Sequence, residues 1–182
     1  MDMSRLAAAI AEDLDVGFPR LVRALQDGVF AGALRLTGSR ADAEEITQEA
    51  FVRAHRALAG YPPDRVRDLQ LRGWVWTIAL NLCRNRARTR RRHPEEPLDG
   101  WAVAPDPAPG PEQEALAGAE REHLVRHLAR LPWPVRAAVV LRHVAGLPYA
   151  EVAIALGRPI GTVKSDVHRG LQALRRSLEE EP

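Results

Sequence analysis

Residues 147–176 read LPYAEVAIALGRPIGTVKSDVHRGLQALRR, and this stretch decides the fold. Pro148 to Leu156 suits a short helix, Gly157 a tight turn, and the residues beyond it a longer helix. Val152, Ala153, Leu156, Ile160, Val163, Val167, Leu171 and Leu174 form one apolar set. From Val163 onward they recur after four, four and three residues, the spacing of a single helix face. Thr162, Lys164, Ser165, His168, Arg169 and Gln172 are left pointing outward. A short helix, a glycine turn and a longer helix with a polar, cationic outer face form a helix-turn-helix. Its second helix fits a DNA major groove about 12 Å wide and offers its early residues to base edges. Lys164 is the chain's only lysine and stands at the groove end of that helix. The plainer alternative is a packed helix pair with a solvated face.

Working outward, the whole 182-residue chain reads as helix, an all-α protein. Strand formers are sparse, whereas Ala, Leu, Arg and Glu abound. Leu21, Val22, Leu25, Val29, Ala33 and Leu36 mark a helix over about 18–36, which Thr37-Gly38 stops. Ser39, with Asp42 three residues on, caps a second helix running to about Leu58, with Ile46, Ala50, Phe51, Ala54 and Leu58 inside. Pro62 and Pro63 end it. A basic loop over 61–72 precedes a third helix, Leu71 to Arg92. Six prolines between His93 and Pro111, with glycines and acids, make a linker without a core of its own. The expected organisation is a helical domain over 1–92, a flexible linker over 93–111 and a helix-turn-helix domain over 112–182. Its helices are expected at about 112–130, 134–145, 148–156 and 161–178. Trp101 is unusual in a pure tether and suggests docking on a neighbouring surface.

The net charge of +2 hides a pattern. Residues 64–92 hold nine arginines against two acids, residues 93–123 one against eight, and residues 124–182 nine basic groups against five acids. Two cationic blocks suggest two contacts with a polyanion, with ordinary solvated surface as the alternative. The single cysteine, Cys83, excludes an internal disulfide framework and fits a reducing, cytoplasmic setting. Arg84 beside it favours a lowered thiol pKa, and a packing role on the helix favours a buried, inert thiol. The opening residues lack the basic flank and long apolar stretch of a signal peptide, and no run nears the roughly 18 residues of a membrane span. No Ser-His-Asp arrangement, phosphate loop or paired-acid motif is present, so no enzyme and no cofactor are expected. His123 and His127, four apart, could face a metal together, but without a third ligand they read as ordinary surface histidines and no metal site is assigned.

Two further helices carry chemistry. Asp42, Glu45 and Glu49 fall at three- and four-residue spacing and make an acidic stripe, with the Gln48 amide beside it, suited to a basic partner helix. On the third helix, Trp74 and Trp76 could stack on bases or belong to the core. Asn81 and Asn85 share a face, as amides reading an unpaired base would. Arg84, Arg86, Arg88, Arg90, Arg91 and Arg92 could touch phosphates, which fixes position rather than sequence.

These motifs resemble those of the extracytoplasmic-function (ECF) sigma factors, group IV of the sigma-70 family. Leu131-Pro132, Tyr149, Glu151, Val152, Ala153, Gly161, Thr162, Val163, Lys164, Ser165, His168 and Arg169 are similar to the family's sigma-four domain. Asp42 to Phe51 resembles its polymerase-binding helix, and Trp74 to Asn81 its promoter-melting helix. The resemblance implies a protein that binds core RNA polymerase through Asp42, Glu45, Gln48, Glu49 and Phe51. It implies minus-ten DNA contacts by Trp74, Trp76, Asn81, Asn85, Arg84 and Arg88, the two asparagines lining a pocket for a flipped base. It also implies minus-thirty-five contacts by Thr162, Lys164, Ser165, Asp166, His168 and Arg169, and an anti-sigma factor as a further partner. A stand-alone helix-turn-helix regulator is the rival, though it leaves the Asp42–Phe51 and Trp74–Asn81 stretches idle. Asp166 departs from the family, which usually has arginine there: it could accept from cytosine N4 or pair with Arg169. The 61–72 loop also departs, having prolines and alternating charges in place of short polar residues.

Overall fold

The computed structural model describes residues 2–92 and 123–180. Among these the chain is helical, and each helix boundary has a local cause. Helix α1 (Met3–Glu12) starts where the Asp2 carboxylate accepts from the Ser4 amide at 3.0 Å. Helix α2 (Leu14–Thr37) is capped by Asp13, which accepts from the Val16 amide. It ends at Gly38, whose φ of 72° only a glycine adopts without strain. Ser39 then caps α3 (Arg40–Ala59) through the Asp42 amide at 3.2 Å. Pro63 opens the short α4 (Pro63–Arg67), and α5 (Leu71–Arg92) follows. After the undescribed stretch come α6 (residues 123–130), α7 (Trp133–His143), α8 (Tyr149–Leu156) and α9 (Ile160–Glu180). Gly157, at φ 61°, makes the turn between the last two.

The first core gathers Leu21, Leu25 and Val29 of α2, Ile46, Ala50 and Ala54 of α3, and Leu71, Val75, Trp76 and Leu80 of α5. The second gathers Leu128, Val140, Val152, Val163, Val167 and Leu174. The two helix groups also lie against one another, α5 on α8 and α2 on α7. Gly73 makes that contact: a Cβ there would stand 3.2 Å from the Glu151 carbonyl oxygen. Arg72 faces the Glu151 carboxylate at 3.7 Å.

Several expectations are revised. Helix α1 was not anticipated, because its apolar run is short. The Asp13 cap starts α2 at Leu14, four residues before the Phe18 start expected. Within the presumed 61–72 loop, Pro63 nucleates a helical turn that buries Val66. Ile160 and Leu171 of the apolar set are exposed, and the buried stripe of α9 runs through Val163, Val167, Gly170 and Leu174. Gly170 takes the place of Leu171 because a Cβ there would lie 2.5 Å from Val139 Cγ2; only glycine lets α7 approach so closely. The 93–111 linker, Trp101 and the expected boundaries at 93 and 112 lie outside the described residues.

Candidate nucleic-acid interface

The outer face of α9 is built as its sequence requires. Lys164, Ser165, His168 and Arg169 are exposed and Thr162 is half-buried, while Val163 and Val167 anchor the opposite side. Lys164 Nζ lies 5.9 Å above the Tyr149 ring, which also carries the Arg142 guanidinium at 5.1 Å, so the lysine is steered by α8.

Asp166 does not belong to that face. Its side chain is 1% exposed and accepts from both Arg158 and Arg169. A carboxylate so enclosed has no path to a cytosine amino group, so its assignment as a base-reading residue is withdrawn. Pairing with Arg169, the other reading of its sequence, is what the structure contains. Arg158 was not anticipated; the available signal was a cation directly after the turn glycine, eight residues before a carboxylate on the same side.

The acidic stripe of α3 divides. Glu45, Gln48 and, in part, Glu49 are accessible, with Glu49 accepting from Arg53 at 2.7 Å. Asp42 is buried and bonded to Arg86 of α5, because its place on the stripe falls in the α3–α5 seam. Phe51 is buried against Phe18, ring centroids 6.4 Å apart. Neither residue presents a surface to a partner, so both leave the expected polymerase-binding set as direct contacts. Arg86, bonded to Asp42 and Glu45, is likewise diverted from DNA.

On α5, Trp76 is 1% exposed and fills the space above Gly32, where no Cβ would fit. It is a core residue, and its expected role against bases is withdrawn. Trp74 is half-buried, 6.1 Å from the Tyr61 ring, which in turn carries the Arg65 guanidinium at 3.7 Å. The atypical 61–72 segment therefore supplies a cation and an aromatic ring, the latter set against Trp74 with the two ring planes tilted by 57°. Asn81, Asn85, Arg84 and Arg88 are all exposed. Asn85 borders a cleft of about 190 Å³ between α3 and α5, together with Glu45, Glu49 and Thr89.

Cys83 is buried, and desolvation pushes its thiol from 9.0 up to about 12, opposed by a backbone hydrogen bond and reinforced by the Asp42 charge. Burial thus outweighs any effect of Arg84. His127 is buried, its Nδ1 sharing a hydrogen bond with Ser177 Oγ at 2.6 Å, and the His123 ring lies tilted against it, centroids 4.3 Å apart. Its place in the α6–α9 contact corrects its reading as a surface histidine. Among the described residues no three potential ligands gather for a metal ion, and no helix is long and apolar enough to cross a membrane.

A helix-turn-helix with a cationic outer face, joined to a helical bundle that carries exposed amides and arginines, defines a helix-turn-helix protein of the DNA-binding class. The comparisons narrow the class. Residues 21–93 match the family model for Sigma-70 region 2, and residues 121–174 that for Sigma-70 region 4. The chain is 32% identical to the ECF RNA polymerase sigma factor SigL of Mycobacterium tuberculosis, covering 98% of this chain and 97% of that one. It is 40% identical to the ECF sigma factor SigE of Mycolicibacterium smegmatis over 87% of its own length, but spans only 60% of that relative. Its fold is similar to that of CnrH, solved in complex with the cytosolic domain of CnrY, with a TM-score of 0.73 and 22% identity over 98% of both chains. The chain belongs to the ECF sigma factors of the sigma-70 family.

Proposed function

We propose that this protein binds core RNA polymerase and directs promoter-specific initiation, reading minus-thirty-five duplex with α9 and opening the minus-ten element with α5. The observation that carries the reading is the placement of two separate DNA-suited faces on successive helix groups. Asn81, Asn85, Arg84 and Arg88 stand exposed on α5, and Lys164, Ser165, His168 and Arg169 on α9. Single-strand capture needs amides and aromatic surface, which Asn81 and the tilted Trp74–Tyr61 ring pair supply. Duplex reading needs a helix with short polar and cationic groups at its start, which α9 supplies. Glu45, Gln48 and Glu49 form the polymerase-docking patch, with Glu45 tied to Arg86 and Glu49 to Arg53. The working division is residues 1–92 for polymerase and minus-ten contacts, 93–111 as linker and 112–182 for minus-thirty-five contacts. The chemistry is binding, without covalent steps. An anti-sigma factor is the expected regulatory partner, since the sigma factor RpoE of Bartonella quintana, similar in fold, is solved in complex with the anti-sigma factor NepR.

Run-off transcription with purified core polymerase over a pool of promoters tests this. The full chain yields promoter-specific transcripts, Lys164→Ala loses minus-thirty-five selection, and Asn81→Ala loses strand opening. A chain that binds duplex but never associates with core polymerase would instead be the stand-alone regulator.

A further inference from the structure

Asp166 is a buried anion on a helix otherwise designed to meet an anion. Its two oxygens are divided between two cations: Oδ2 accepts from Arg158 Nη1, and Oδ1 from Arg169 Nη2 at 2.5 Å. The carboxylate is 1% exposed, whereas the Arg158 side chain is 35% exposed and that of Arg169 65%. The negative charge is therefore tucked behind, and both guanidinium groups keep outward N–H donors. A guanidinium has five such donors in a rigid fork, and this carboxylate occupies few of them.

The two arginines come from different places. Arg158 leaves the turn just before α9, and Arg169 lies more than two helical turns along it. Without a common anchor their flexible side chains would sample separate regions and repel each other. Convergence on one carboxylate brings both heads to the same edge of the recognition helix, beside a groove of about 500 Å³ bordered also by Gln172 and Arg176. A pair of guanidinium groups sharing one carboxylate matches the bidentate geometry of a phosphodiester oxygen pair. Both side chains are tied to Asp166 before any anion arrives, so less freedom is lost on binding.

We propose that Asp166 is a positioning residue, and that Arg158 and Arg169, aligned on it, grip a backbone phosphate flanking the minus-thirty-five element. This rests on the reading of α9 as the recognition helix. It reassigns a position where the family usually has arginine: the cation is delivered from the turn, by Arg158, and the helix supplies its support. Arg158 thereby becomes a phosphate contact, and Asp166 favours DNA binding despite its negative charge.

The sign of the Asp166 effect is the test. Holoenzyme is assembled from core polymerase and the full chain, and its affinity for a duplex selected by the wild-type holoenzyme in pooled transcription is measured over a range of salt concentrations. Arg158→Ala lowers the slope of log affinity against log salt by about 0.9, one phosphate contact, and weakens all minus-thirty-five variants alike. Asp166→Asn removes a negative charge yet weakens binding about ten-fold and also flattens the slope. Arg158→Lys restores the slope in part, because the charge returns without the fork. If Asp166→Asn binds as well as or better than wild type with an unchanged slope, the carboxylate is structural only and the inference is overturned, whatever happens to the melting temperature. If Arg158→Ala leaves the slope intact, the inference is overturned as well. Failure of the wild-type chain to form a promoter-selective holoenzyme is a separate outcome: it removes the functional reading and this inference with it.

Discussion

Arg86 reaches 44 residues back along the chain to Asp42, its Nε donating to Oδ1 at 2.7 Å, while its Nη2 donates to Glu45 Oε2 at the same distance. One guanidinium thus ties α5 to α3 and joins a buried carboxylate to an exposed one. The bundle's internal electrostatics and the proposed docking patch meet at this cation.

Replacing Arg86 by Ala takes this charged donor away from the buried Asp42 carboxylate. The loss of a charge-assisted hydrogen bond to a buried acceptor is expected to cost about 2 kcal/mol of stability. Urea denaturation of the full chain checks this as a lower midpoint with an unchanged slope. Arg84→Ala, at an exposed site two residues away, should stay within about 0.5 kcal/mol of wild type.

The Arg86 pair also marks the limit of what the sequence discloses. Helices α2, α3, α5, α7, α8 and α9 are legible because their apolar positions recur at helical spacing and their ends carry Ser39, Gly38, Pro63 or Gly157. The exposed face of α9, Lys164, Ser165, His168 and Arg169, is legible for the same reason. Periodicity on one helix does not say which helix will pack against it. Asp42 and Glu45 look equivalent on a helical wheel, yet α5 covers the first and leaves the second open. The same ignorance of partners put Trp76 among possible base contacts, and hid Arg158, whose role appears only when the turn folds back over Asp166.

Gly170 is buried where α9 packs on α7. On an isolated helix Gly170→Ala would gain about 1 kcal/mol. Here the new Cβ would lie 2.5 Å from Val139 Cγ2 and 2.9 Å from Val135 Cγ1, both branched and held by their own helix. Overpacking of about 1–3 kcal/mol should win, so the variant melts at lower temperature. Combining it with Val139→Ala makes room, and the double variant should recover part of the loss relative to Val139→Ala alone.

Cys83 gives a pH dependence with a definite sign. Its folded pKa, about 12, lies above its ordinary 9.0, so the folded state holds the thiol proton more tightly. This contribution to stability is fully present below about pH 9 and is lost as pH rises from there toward 12, because the unfolded chain releases the proton first. Urea midpoints measured from pH 8 to 10.5 should fall more steeply for wild type than for Cys83→Ala. Iodoacetamide at pH 8.5 should modify the thiol only as fast as the bundle opens, with full labelling in denaturant.

The contact between the two helix groups sets a geometric problem for promoter binding. Helix α5 packs directly on α8, with Gly73 against the Glu151 backbone and Arg72 beside its carboxylate. Elements named for positions minus ten and minus thirty-five lie about 25 base pairs apart, roughly 85 Å at 3.4 Å per pair. On the proposed roles, faces on α5 and α9, with α8 packed against both helices, cannot span that distance, so the α5–α8 and α2–α7 contacts must part before both elements are held. Glu151→Arg sets a like charge opposite Arg72, and Gly73→Leu inserts a side chain where a single Cβ already meets the α8 backbone at 3.2 Å. Both variants should enlarge the radius of gyration of the free protein in X-ray scattering while leaving its helical circular dichroism unchanged. Because opening then no longer draws on binding energy, both should also associate with core polymerase more tightly than wild type. An unchanged radius with unchanged association would mean that the two groups already separate freely in solution.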